Sequence, residues 1–277
     1  MSERKVVKKV QGMATQDGAG VSLKRILGQP ALRNLDPFLM LDEFGSDNPG
    51  EYIAGFPEHP HRGFQTVTYM LEGKMRHQDS AGNSGVIQSG GIQWMNAGRG
   101  IIHSEMPEQT EGLMRGFQLW INLPASEKMS APGYQDIPAS QVPELTLDNG
   151  VSVKVLAGEF DQIKGPVSTQ SVKPLFYDLA FSEDAEQVID LPIEHQCFCY
   201  CYEGCIEIVG EPIVQGELAV FSKGNKLRVK GNAGARLIVL AARPIGEPVV
   251  QYGPFVMNTE AEIHQAMMDY RSGRLVG

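Results

Sequence analysis

The 277-residue sequence predicts an all-β protein in which two related barrels of short strands follow one another. Three observations carry that expectation: runs of strand length, dense turn punctuation, and a repeat relating the two halves. The runs VIQSGGIQWM (86–95), RGFQLWINLP (115–124), VSVKVLAGEF (151–160) and ARLIVLAARP (235–244) are apolar or alternate apolar with polar residues. Gly 31 and Pro 17, helped by Asn and Asp, interrupt the chain between such runs. The repeat appears in three places. TYMLEGKM (68–75) resembles CYCYEGCI (199–206), VIQSGGIQWM resembles IVQGELAVF (213–221), and RGFQLWINLP parallels ARLIVLAARP. The offset is 131 residues at the Glu-Gly turn, 127 at Gln88 and Gln215, and 120 at the final Pro, as expected if the second copy has shorter loops.

Helical periodicity is nearly absent until the C-terminus. There Thr259-x-x-Glu262 reads as a capping box, and Ile263, Ala266, Met267 and Tyr270 fall on one face, which predicts a short tail helix. The length supports two domains. The Pro-marked stretch IPASQVPEL (137–145) supplies a boundary, giving an N-terminal barrel over 1–137 and a C-terminal barrel with the tail helix over 138–277.

Composition narrows the function. A net charge of −9, with no basic run longer than Lys8-Lys9, argues against direct nucleic-acid binding, which needs a cationic face. No apolar stretch approaches the ~20 residues of a membrane span, and MSERKVVKKV lacks an apolar signal core, so a cytoplasmic protein off the membrane is expected. Cys197, Cys199, Cys201 and Cys205 crowd into nine residues, unlike a secreted disulfide framework. Cys197, Cys199 and Cys201 share a strand face. They suit a soft metal, but they align with interior strand positions of the first copy, so they are read as small buried apolar groups.

The chemistry gathers on two segments. In EHPHRG (58–63), His59 and His61 lie one residue apart, and residues i and i+2 of a strand point to the same face. In IIHSEM (101–106), His103 and Glu105 repeat the spacing. Two such pairs on neighbouring strands bring three imidazoles and a carboxylate to one point, a donor set for Fe, Mn, Ni, Cu or Zn. His77, His195 and His264 have no partner at ligand spacing and are read as surface or incidental.

FPEHPHRGFQTVTYMLEG (56–73) followed by WMNAGRGIIHSEMP (94–107), with DPFLMLDEFG (36–45) and GPFVMNT (253–259), resembles the pirin family of the cupin superfamily over most of the chain. The resemblance implies a bicupin: two jelly-roll barrels packed together, with one iron in the N-terminal barrel held by His59, His61, His103 and Glu105. Gln65 and Thr66 stand where the general cupin pattern has a glutamate, which leaves Glu105 as the lone carboxylate ligand. Stepping by the repeat offset puts Asp190 and Pro192 opposite His59 and His61, and Val229 and Gly231 near the counterparts of His103 and Glu105. The C-terminal barrel is therefore expected to lack metal ligands.

Four protein ligands on Fe(II) leave up to two of six positions open, whereas tetrahedral zinc would be saturated. Some relatives are similar to quercetin 2,3-dioxygenases. The resemblance thus implies an oxidoreductase that cleaves a small aromatic, flavonol-like substrate with O₂ at Fe(II), with Mn, Ni, Cu, Co or Zn as alternative ions. Glu105 then serves as ligand and as catalytic base for the substrate hydroxyl, and Phe56, Trp94 and Met106 are candidates for an apolar lining. The alternative implied is a regulatory protein that binds a protein partner according to its metal or redox state.

Overall fold

Alternating burial is what pairs these runs into sheets. In Met114–Asn122 and Val151–Ala157 buried and partly exposed residues largely alternate. Phe64–Glu72 and Gln196–Glu203 are buried along nearly their whole length, and each turns at the Glu-Gly pair of the repeat, with Gly73 at φ +89° and Gly204 at φ +68°. The computed structural model describes residues 2–169 and 171–276. Among these the strands are antiparallel apart from isolated bridges, and the one α-helix is Glu260–Arg271.

Two compact units result. The first comprises residues 14–28, 38–139 and 245–277. Its seven-stranded sheet runs, from one edge, Gly133–Ile137, Ile92–Asn96, Phe64–Glu72, Met114–Asn122, Phe38–Ser46, Val21–Leu27 and Met13–Asp17. Its four-stranded sheet runs Phe56–His61, Ile101–Pro107, Lys74–Asp79 and Ser84–Gln88. The second unit comprises residues 1–13, 29–37 and 140–244, again with a seven-stranded and a four-stranded sheet. This is the all-β bicupin the sequence implied.

The chain ends depart from a single cut at 137/138. Val6–Gln11 pairs with Glu217–Phe221 and forms an edge strand of the second barrel. The tail beyond residue 244 belongs with the first barrel, where Phe255, Met257, Ile263, Ala266 and Leu275 form an apolar cluster against Ile102. Thr259 caps the tail helix with both bonds of the capping box, and Ile263 and Ala266 are buried as its period requires. Tyr270 stays largely exposed.

In the second barrel, Cys197, Cys199 and Cys201 are fully buried in one apolar cluster with Leu227, Val229, Leu237 and Val239. Burial pushes the Cys197 and Cys201 thiols up to about 12 and that of Cys199 well above its ordinary value.

Candidate metal centre

Antiparallel pairing of two ladder neighbours builds the site. Phe56–His61 lies against Ile101–Pro107 with His59 opposite His103 and Ile101 opposite His61. The i, i+2 spacing then turns the three imidazoles to one side. Their ring centroids are 4.7 Å apart for His59 and His61, 4.4 Å for His59 and His103, and 5.0 Å for His61 and His103. One ligand nitrogen from each lies within 4.8 Å of the others.

The protonation pattern suits coordination. His59 Nδ1 is 2.9 Å from the Pro57 carbonyl, an acceptor only, so Nδ1 donates there and Nε2 is the nitrogen left to face a metal. His61 Nδ1 and both nitrogens of His103 are buried with no hydrogen-bond partner. Burial, then the neighbouring imidazoles, holds His61 and His103 well below their ordinary pKa, in the neutral ligand form. Buried polar groups are otherwise nearly always satisfied, so orphan nitrogens on two adjoining imidazoles, with the third ring beside them, fit a metal ion.

Glu105 follows His103 on the same strand face and is likewise buried. Thr68 Oγ1 lies 2.8 Å from its Oε1 and 2.6 Å from Gln118 Oε1, so its one proton is shared between the two acceptors, and Gln118 Nε2 donates to Glu105 Oε2 at 3.4 Å. Burial raises its pKa, while His59 and the Thr68 bond pull it back. Sequence reasoning did not single out Thr68 or Gln118. Their only signal was their place on strands Phe64–Glu72 and Met114–Asn122, where they face each other across the ladder. It also missed Trp120, whose ring stands 5.3 Å from His61 and 4.4 Å from Phe64.

Several expectations are corrected. Trp94 is buried on the opposite face of its strand from Met95, and its indole donates to Gln65 Oε1 at 3.1 Å, so it does not line the site. Phe56 packs against the cluster of Val21, Leu23 and Phe44, and Met106 approaches Gly55. Of the histidines read as surface or incidental, His264 is exposed, but His77 and His195 are buried. His77 faces Glu105 across the ladder and lies 3.2 Å from Asp136.

The second barrel repeats the frame with other side chains. Pro107 pairs with Met75, and Gly231 pairs with Ile206, the equivalent residue after the Glu-Gly turn. Counting back along each strand sets Val229 opposite in role to Glu105 and Leu227 to His103. Leu227 in turn pairs with Ile189, and the Leu191 amide bonds to the Asn225 carbonyl, which gives Ile189 and Leu191 the places of His59 and His61. The expected counterparts Asp190 and Pro192 are each displaced by one residue, and Val229 and Gly231 by two. Loop-length differences before each strand shift the offset, and a one-residue slip exchanges the two faces.

The profile of the Pirin family matches residues 20–121, and that of the Pirin C-terminal cupin domain matches residues 176–276. A pirin-like protein of Caulobacter vibrioides is 48% identical, covering 99% of this chain and 100% of its own. Human pirin is 40% identical over 99% of this chain and 94% of its own. The crystal structure of a quercetin 2,3-dioxygenase from Acinetobacter baumannii superposes with a TM-score of 0.92 at 30% identity, covering 99% of both chains.

Proposed function

The chain belongs to the pirin family, and we propose that it is a metal-dependent dioxygenase of the quercetin 2,3-dioxygenase type, opening a planar flavonol-like substrate with O₂ and releasing carbon monoxide. The observation that carries this reading is the convergence of one ligand nitrogen each from His59, His61 and His103, with His61 Nδ1 and both His103 nitrogens lacking a protein partner. His59 keeps partial exposure, so the site has an open side. The likeness to a solved quercetin 2,3-dioxygenase supports the same activity.

In this reading His59, His61 and His103 hold one Fe(II), and Glu105 completes the set from the same strand face. When bound, the ion lowers the pKa of a substrate hydroxyl and supplies the redox chemistry that O₂ requires. Glu105 takes the proton of that hydroxyl. A carboxylate whose pKa burial has raised is a better base than an exposed one. Thr68 fixes one carboxylate oxygen and leaves the other, held only by the long Gln118 contact, free to turn toward the substrate. Trp120 and Phe64 wall one flank with apolar surface that excludes water.

Anaerobic loading with Fe(II), then quercetin and air, tests the proposal. Loss of the flavonol absorbance with matching O₂ uptake and carbon monoxide release is expected, and neither should occur in His59→Ala. An iron-loaded protein that leaves quercetin and O₂ untouched would refute it.

A further inference from the structure

Lys128 is 1% exposed, and each of its three N–H bonds meets an oxygen: the Gly63 carbonyl at 2.7 Å, Asn122 Oδ1 at 2.6 Å and the Val256 carbonyl at 2.9 Å. None of these is a carboxylate. Burial outweighs the more distant charges of Glu247 and Glu262 and brings the lysine down to about 8. An ammonium kept in so unfavourable a place calls for a role that an aliphatic side chain would not fill.

The oxygens it gathers come from three segments around the metal centre. Gly63 lies two residues past His61, Asn122 ends the strand that carries Gln118 and Trp120, and Val256 belongs to the C-terminal tail. The tail is fastened to the first segment again by neighbouring contacts. The Arg62 amide donates to the Pro254 carbonyl at 3.3 Å, and the Val256 amide donates to the Arg62 carbonyl at 3.0 Å. Arg62 Nη1 reaches Asp269 Oδ2 on the tail helix at 2.7 Å, while its Nε bonds to the Arg99 carbonyl. A Pro254 backbone bond also bears on His61 itself. The approach is close enough to require glycine. A Cβ on Gly63 would sit 2.0 Å from the Val256 carbonyl oxygen, and one on Gly100, three residues before His103, 2.3 Å from that of Leu275.

We propose that Lys128 is a positioning residue of the metal centre: its ammonium fastens the His59–His61 segment to the C-terminal tail, so that metal occupancy and tail order are coupled. The coupling runs both ways by linkage. Metal held by the histidines quiets the tail, and a loosened tail weakens the metal. The inference rests on occupancy of the three-histidine site and is independent of the oxygenase reaction.

Co(II) is the probe, because its visible spectrum reports ligand geometry, and the full chain is used throughout. In the wild type, Co(II) should slow hydrogen exchange over residues 250–275. Lys128→Met should bind Co(II) about 10- to 100-fold more weakly, with an altered visible spectrum and little tail protection. Asp269→Asn keeps Lys128 and takes the charge from the Arg62 tie, with the Gln265 bond inside the helix its other side-chain hydrogen bond, so it should show a smaller loss in the same direction. It decides the question if Lys128→Met does not fold. Wild-type affinity and spectrum in the folded variants, or a tail whose exchange ignores bound Co(II), would overturn the proposal. A wild type that binds no transition ion refutes the metal centre itself. One that binds Co(II) normally yet spares quercetin when iron-loaded refutes only the oxygenase.

Discussion

The two barrels share one frame and fill it with opposite chemistry. Where the first carries His59, His61, His103 and Glu105, the second carries Ile189, Leu191, Leu227 and Val229, all nearly inaccessible. The strand behind them follows suit. Thr66 and Thr68, opposite Trp120 and Gln118, are answered by Cys197 and Cys199, opposite Ala241 and Val239. The scaffold therefore does not require a metal to close. An interior of apolar side chains closes the second barrel, and the four polar residues of the first are an addition that leaves buried histidine nitrogens without protein partners. Function in such a barrel resides in the side chains grafted onto it.

Exchanging the two sets is the strongest way to break this comparison. His59→Ile, His61→Leu, His103→Leu and Glu105→Val together should reduce metal content to background in elemental analysis while the β-sheet circular dichroism persists. Metal retained at wild-type level would place the site elsewhere. The reverse graft acts on stability. Leu227→His puts an unpartnered imidazole into the apolar cluster and should cost about 2–4 kcal/mol in urea unfolding. A cost under about 1 kcal/mol would mean that the second interior tolerates polarity, and the contrast would lose its force.

A finer test concerns the support of Glu105. Thr68→Val removes the 2.8 Å donation to Oε1 and should weaken metal binding by about tenfold, read by competition with a chelator. Because that hydrogen bond lowers the Glu105 pKa, its loss leaves the carboxyl protonated to higher pH, so the deficit should grow as the pH falls. A deficit independent of pH would assign Thr68 to packing alone. The smallest effect is expected from the thiols. At pH 8 a disulfide reagent should label half-buried Cys205 in the folded protein, with Cys197, Cys199 and Cys201 reacting only after unfolding, since burial keeps them as thiols. Rapid labelling of all four would show the second interior to be open.

What the sequence determined by itself was whatever is written at short range. Two i, i+2 pairs announced the imidazoles because a strand repeats every two residues. Thr259 and Glu262 announced the helix because a cap acts across three residues, and the Glu-Gly turns announced the duplication. Tertiary structure decided what depends on register and on distant partners. The true counterparts of the three histidines and Glu105 followed from ladder pairing, since loop lengths between strands move the register and one residue reverses the face. Trp94 and Trp120 look alike as aromatic residues in strands, and only the pairing shows which one stands beside His61. Lys128 meets a carbonyl 128 residues away, and Arg62 meets Asp269 across 207. No local pattern encodes such contacts, because they form only after the tail beyond residue 244 has joined the first barrel. Lys128 is thereby enclosed by three oxygens from segments far apart in the chain.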